Sequence, residues 1–114
     1  MARSIRIGLL DIRAEIDGIR KLTHQTDLAS FADSWAMKRA VQHALLIIAE
    51  AAKHIPSDMK VSQPSVPWQK IHGLGNMLRH EYRRIDDGIL WSVVTDQLDP
   101  LDDAVVALLY RLED

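Results

Sequence analysis

At 114 residues, with 47% apolar content and only three Trp, two Tyr and one Phe, the chain has the length of one domain whose core must be filled by Leu, Ile, Val and Ala. It has no cysteine, which excludes a disulfide scaffold, a Cys-ligated zinc site and a thiol nucleophile. The formal net charge of −2 hides an asymmetry: Lys70, Arg79, Arg83 and Arg84 face Glu81 alone over residues 70–84, whereas residues 85–114 carry eight acids against Arg111.

The opening MARSIRIGLLDIRAEID has a charge every few residues and lacks the apolar core of a signal peptide. No run approaches the roughly 18 apolar residues of a membrane span, so the expectation is a soluble, cytoplasmic protein. Ile5, Leu9, Ile12, Ile16 and Ile19 step by four, three, four and three, one stripe of a first helix over about Ser4 to Thr23. The polar cluster HQTDLASFADS interrupts it and offers Asp27 and Asp33 or Ser34 as helix N-caps.

A second helix is expected over about Ser34 to His54. Its stripe is Met37, Val41, Ala44, Ile48, Ala51 and Ile55, widened by Ala40, Leu45, Ile47 and Ala52. That apolar girth marks it as the central helix or a subunit contact, and Pro56 ends it. PSDMKVSQPSVP has three prolines in twelve residues and reads as a loop, with Ser65 and Pro67 preparing the next start. The third helix runs from about Pro67 through Trp68, Ile71, Leu74 and Leu78 into GLGNMLRHEY. RIDDGI is a turn, a fourth helix holds Leu90, Val93, Val94 and Leu98, and LDP reads as an Asp99 cap with Pro100 at the first position of a last helix. Leu101, Val105, Leu108 and Leu112 point inward from it. Nothing alternates like a strand, so the expected fold is all-α, an antiparallel bundle of four to five helices in a single domain over residues 1–114.

The chemistry gathers in GLGNMLRHEY. Asn76 and His80 are four apart and share a helix face, as do position 75 and Arg79. A His titrates near neutral pH and suits general acid–base work. An Arg can stabilise the charge of a phosphoryl transition state. RNA cleavage by its own 2′-hydroxyl needs a base, an acid and a charge stabiliser, and no metal. Lys70, His72, Arg83 and Arg84 are candidate contacts to an RNA backbone; the alternative is a solvated face pairing with the acidic tail. The five histidines never fall in the His-x3-His spacing of a helical metal site, so no metal or cofactor is expected. Glu50, among apolar neighbours, reads as a structural ion pair, and Trp35, Trp68 and Trp91 as core or subunit contacts rather than base-stacking platforms.

The segments RAVQHALLIIAEAAKHIP (residues 39–56) and VPWQKIHGLGNMLRHEYRRIDDGILW (residues 66–91) resemble the HepT-like ribonuclease toxins of the HEPN superfamily. The second follows their pattern at Trp68, Ile71, Gly73, Asn76, His80, Tyr82, Ile85, Asp86, Leu90 and Trp91. The resemblance implies a homodimer with a metal-independent RNase site between subunits, in which His80 is catalytic and Asn76 supports it. It also implies an antitoxin partner, an MntA-like nucleotidyltransferase that adenylylates Tyr82. One position departs: Gly75 stands where the family has the Arg of its Arg-x4-His motif. Three explanations compete: a disabled enzyme that survives as a binding module, Arg79 acting as a substitute, or a close backbone approach that only Gly permits.

Overall fold

A computed structural model describes residues 2–113. Helix α1 spans Ala2–Thr23 and buries Leu9, Ile12, Ile16 and Ile19 of the expected stripe, with Ile5 half-buried. Thr23 closes it, its hydroxyl donating to the Ile19 carbonyl at 2.7 Å. Asp27 then caps α2, Leu28–Asp33, by accepting from the Ser30 N–H at 2.8 Å, and these bonds hold its carboxyl below the ordinary carboxylate range. This short helix exists to deliver Phe31, fully buried against Trp91 with ring centroids 5.1 Å apart.

Ser34, not Asp33, caps α3, Trp35–Lys53, by accepting from the Met37 N–H at 3.1 Å. Replacing it with Ala is expected to cost about 1 kcal/mol, with Ser34→Asp nearly neutral; urea melts of the two variants check this, and equal stabilities for Ser34→Ala and the parent would remove the cap from the account. Helix α3 is central, packing α1 on one side and α5 on the other. Its buried face is Val41, Leu45, Ile48, Ala49 and Ala52; Met37, Ala44 and Ala51 are only half-buried, and Ala40, expected to widen the stripe, is exposed.

The segment after Pro56 corrects the expected loop. Residues Ser57–Val61 form α4, with Pro56 in the capping position and Asp58 in the first turn, because Met59 is thereby buried in the core. Ser65 does not cap α5, Trp68–His80, which starts after Pro67 without a side-chain cap. The Trp68 indole N–H, shared between the Lys60 and Gln63 carbonyls at 3.1 and 3.2 Å, pins the connection instead.

A 3-10 turn over Tyr82–Arg84 follows, then α6, Asp87–Asp96, capped by Asp86, and α7, Leu98–Glu113. Only Gln97 separates the last two helices, so Leu98 belongs to α7 rather than α6. Asp99 lies inside the first turn of α7, not at its cap, and pairs with Arg20 of α1. Helix α7 packs on α1, burying Leu101, Val105 and Leu108 as expected, with Leu112 half-buried. The five long helices match the expected all-α bundle; the two short ones raise the total among the described residues to seven. The described helices include none long and apolar enough to cross a membrane.

Candidate functional site

Helix α5 positions the motif, and its packing on α3 decides what position 75 can be. Gly75 is buried, and a Cβ built on it would lie 2.6 Å from the Cβ of Ala49. That is well inside carbon–carbon contact distance, and the Ala49 methyl is fixed to its backbone, so any larger residue at 75 pushes two helices apart. Among the explanations open to the sequence, a close backbone approach has a direct structural cause here.

One turn on, Arg79 is exposed but engaged. It forms an ion pair with Glu50 of α3, which also meets Lys53 at 3.4 Å. Glu50 therefore plays the structural role expected of it, and Arg79, the expected substitute, is held toward α3. Asn76 is exposed at the rim of an apolar groove of about 580 Å³ between α5, α6 and α7, which Lys70 also borders.

His80 is the last residue of α5. The chain leaves the helix at Glu81, with φ −139° and ψ 35°, and the Glu81 N–H donates to the Met77 carbonyl at 2.7 Å. Tyr82 consequently sits in the 3-10 turn rather than on the helix, yet it shares with His80 a shallow groove of about 440 Å³ lined also by Arg83 and Arg84. His80 and Asn76 share a helix face but open into different grooves.

Tyr82 is half-buried, with two guanidinium groups over its ring. Arg39 lies over its ring at 4.7 Å and Arg83 at 5.7 Å. A hydrogen bond from Arg83, then the charges of Arg83 and Arg39, lower the phenol below its ordinary pKa. Arg84 is tied to Glu81 at 3.6 Å.

The other basic candidates lie apart. Lys70 is nearly three turns from His80 on α5, about 15 Å along the axis. The His72 Nε2 meets Lys60 Nζ at 3.1 Å, and burial, then the charges of Lys60 and Lys53, push the imidazole below its usual pKa. An ammonium can only donate, so Nε2 accepts in this contact, and both the contact and the lowered pKa disfavour His72 as a second cation for phosphate. Among the described residues no three His, Cys, Asp or Glu side chains converge on one point.

Sequence reasoning missed the contribution of α3. Arg39, Gln42, His43 and Leu46 line a groove of about 320 Å³ with Leu78 and Tyr82. Their spacing of three, four and seven marks one helix face, but nothing local says that Tyr82 closes it. Trp35 was expected in the core or at a subunit contact; it is 70% exposed, so the core reading fails for it. Trp68 and Trp91 are half-buried against the core, as expected.

These features define an all-α domain that presents an exposed His, a flanked Tyr and a cluster of arginines at the end of one helix. Residues 12–108 match the family described as HepT-like, Ribonuclease HepT-like. A protein of Methanocaldococcus jannaschii provisionally named an RNase is 33% identical over 96 residues, 84% of this chain and 88% of the relative. A second from that organism, named in the same way, is 29% identical over 112 residues, 98% of this chain and 97% of the relative. A protein of Thermococcus cleftensis provisionally named ribonuclease HepT is 34% identical over 101 residues, 89% of this chain and 92% of the relative. No solved structure matches the chain at comparable stringency. The chain belongs to the HepT-like ribonuclease family.

Proposed function

We propose that the chain is the toxin of a toxin–antitoxin pair, a metal-independent endoribonuclease whose turnover is weakened by Gly75. The observation that carries this reading is the exposed His80 beside Tyr82 and Arg83, while position 75 is closed by Ala49. His80 takes the proton of a ribose 2′-hydroxyl as that oxygen bonds to phosphorus. The P–O5′ bond breaks, and the 5′-oxygen receives a proton, leaving a 2′,3′-cyclic phosphate. Two copies of His80 across a homodimer cleft supply both base and acid. The charge that builds on the phosphate lacks the family's Arg, and Arg79 reaches it only by leaving Glu50.

The antitoxin in this reading is an MntA-like nucleotidyltransferase that adenylylates Tyr82, in the groove of His80. The added phosphate brings negative charge and the adenosine brings bulk, and together they block RNA. Incubating the purified chain with single-stranded RNA and EDTA is expected to give slow cleavage with cyclic-phosphate ends. The burial of Gly75 favours a second reading, a non-enzymatic module that keeps its dimer and its nucleotidyltransferase contact. Stable complex formation with no cyclic-phosphate product at any enzyme concentration would select it.

A further inference from the structure

The cations around Tyr82 do not stop at the groove of His80. Arg39 on α3 lies over the Tyr82 ring at 4.7 Å and over the Trp35 ring at 5.8 Å from its centre. Arg83 also lies over the Tyr82 ring, at 5.7 Å, and hydrogen-bonds its hydroxyl. Trp35, Arg39, Tyr82 and Arg83 are thus linked in a ladder of cation–π contacts, and they border one groove of about 200 Å³. Tyr82 and Arg83 also line the groove of His80, so the two depressions adjoin at these residues.

The charges of this ladder are uncommitted. Lys38 beside it is paired with Asp87 and Arg84 with Glu81, but no carboxylate among the described residues pairs with Arg39 or Arg83. Among the described residues the Arg39 guanidinium donates to the Gln42 side-chain oxygen, at 3.1 Å, and Arg83 to the Tyr82 hydroxyl, which leaves other N–H groups of both free. A ring at 70% exposure gains nothing from core packing, yet its neighbour is a flat cation with N–H groups to spare.

We propose that Trp35, Arg39, Tyr82 and Arg83 form a stacking subsite for unpaired RNA bases, leading a single strand to His80. Its identification of the ligand as RNA rests on the ribonuclease reading above. A base laid on the exposed Trp35 face extends the ladder, and the outward edges of Arg39 and Arg83 meet the phosphates on either side. Bases in a duplex keep their faces stacked on each other and cannot offer them to Trp35, so the subsite selects single strands.

The test is binding of a fluorescein-labelled single-stranded octanucleotide with 2′-fluoro riboses, which has no 2′-hydroxyl to attack, so affinity is read apart from cleavage. Trp35→Ala is expected to weaken it about ten-fold, Trp35→Phe to retain most of the affinity, and neither to alter binding of the corresponding duplex. Arg39→Ala is expected to reduce the slope of log affinity against log salt by about 0.7, one phosphate contact, while Trp35→Ala leaves that slope unchanged. Melting curves confirm that each variant is folded. Wild-type affinity in Trp35→Ala overturns the subsite, even if metal-free cleavage of ordinary RNA persists and the ribonuclease reading stands. Equal losses on single strand and duplex overturn it too. So does a Trp35→Ala chain that changes its sedimentation while binding unchanged per protomer, since Trp35 is then a contact between copies. Stacking without any cleavage would retain the subsite and discard the ribonuclease.

Discussion

Replacing His80 with Ala is expected to reduce metal-free RNA cleavage by about 100-fold or more, the usual worth of a positioned general acid or base. The imidazole is exposed at the end of α5 and supports no core packing, so the substitution should leave melting nearly unchanged. Loss of rate without loss of fold is the signature of chemistry. Arg79 and Glu50 refine the experiment. If Arg79 is the residual charge stabiliser, Glu50→Gln weakens the tie that draws it toward α3 and should raise the rate a few-fold, whereas Arg79→Ala should lower it. The pair is partly exposed, and its contribution to stability is at most about 1 kcal/mol, so neither change should endanger the fold. A His80→Ala chain that retains half the cleavage would remove His80 from the mechanism, and with it the proposed reaction.

Restoring Arg at position 75 alone is expected to damage the protein rather than revive it. Gly→Ala in a helix ordinarily gains about 1 kcal/mol. Here the new methyl meets Ala49 at 2.6 Å, and overpacking of that kind costs about 1–3 kcal/mol. The second effect wins, so Gly75→Ala should lower stability and Gly75→Arg should lower it further. Ala49→Gly opens the space from the other helix. The double variant Ala49→Gly/Gly75→Arg is expected to recover most of the loss, a strong coupling between two residues in contact. It should also cleave RNA faster than the parent chain, because the motif cation then has a place to stand. Urea melts of the parent, Gly75→Ala, Gly75→Arg, Ala49→Gly and double-variant chains and an EDTA cleavage assay decide the matter; a Gly75→Ala chain more stable than the parent would show that α3 and α5 separate without penalty.

The sequence made the long helices readable because each buries its own periodic stripe. Leu9, Ile12, Ile16 and Ile19 name one face of α1 with no help from the rest of the chain. Helix α4 was hidden because prolines flank it and only Met59 anchors it, a single apolar residue with no period. The beginning of α7 was misread because Asp99 and Pro100 imitate a cap, while Arg20 of a distant helix claims the Asp99 carboxylate. At the motif, the residues themselves were legible as candidates and the meaning of Gly75 was not. Its reason is the Ala49 methyl, a tertiary contact that α5 alone cannot announce. The same holds for Tyr82, whose cationic neighbour Arg39 arrives from α3, and for His72, which local charge groups with the basic residues but whose imidazole is pushed below its usual pKa by burial and Lys60.

Helices α2 and α6 pack chiefly on each other through Phe31 and Trp91, whereas α1, α3, α5 and α7 share the main interfaces. Such a division favours opening in parts. Amide protons of α2 and α6 should exchange with deuterium together and sooner than those of α3, as one cooperative unit peels from a bundle that stays closed. Asp87 and Lys38 hold the rim of that unit to the wall beside Tyr82. An oligonucleotide gripping that wall should slow the exchange of α6 along its whole length, beyond the first turn that borders the groove.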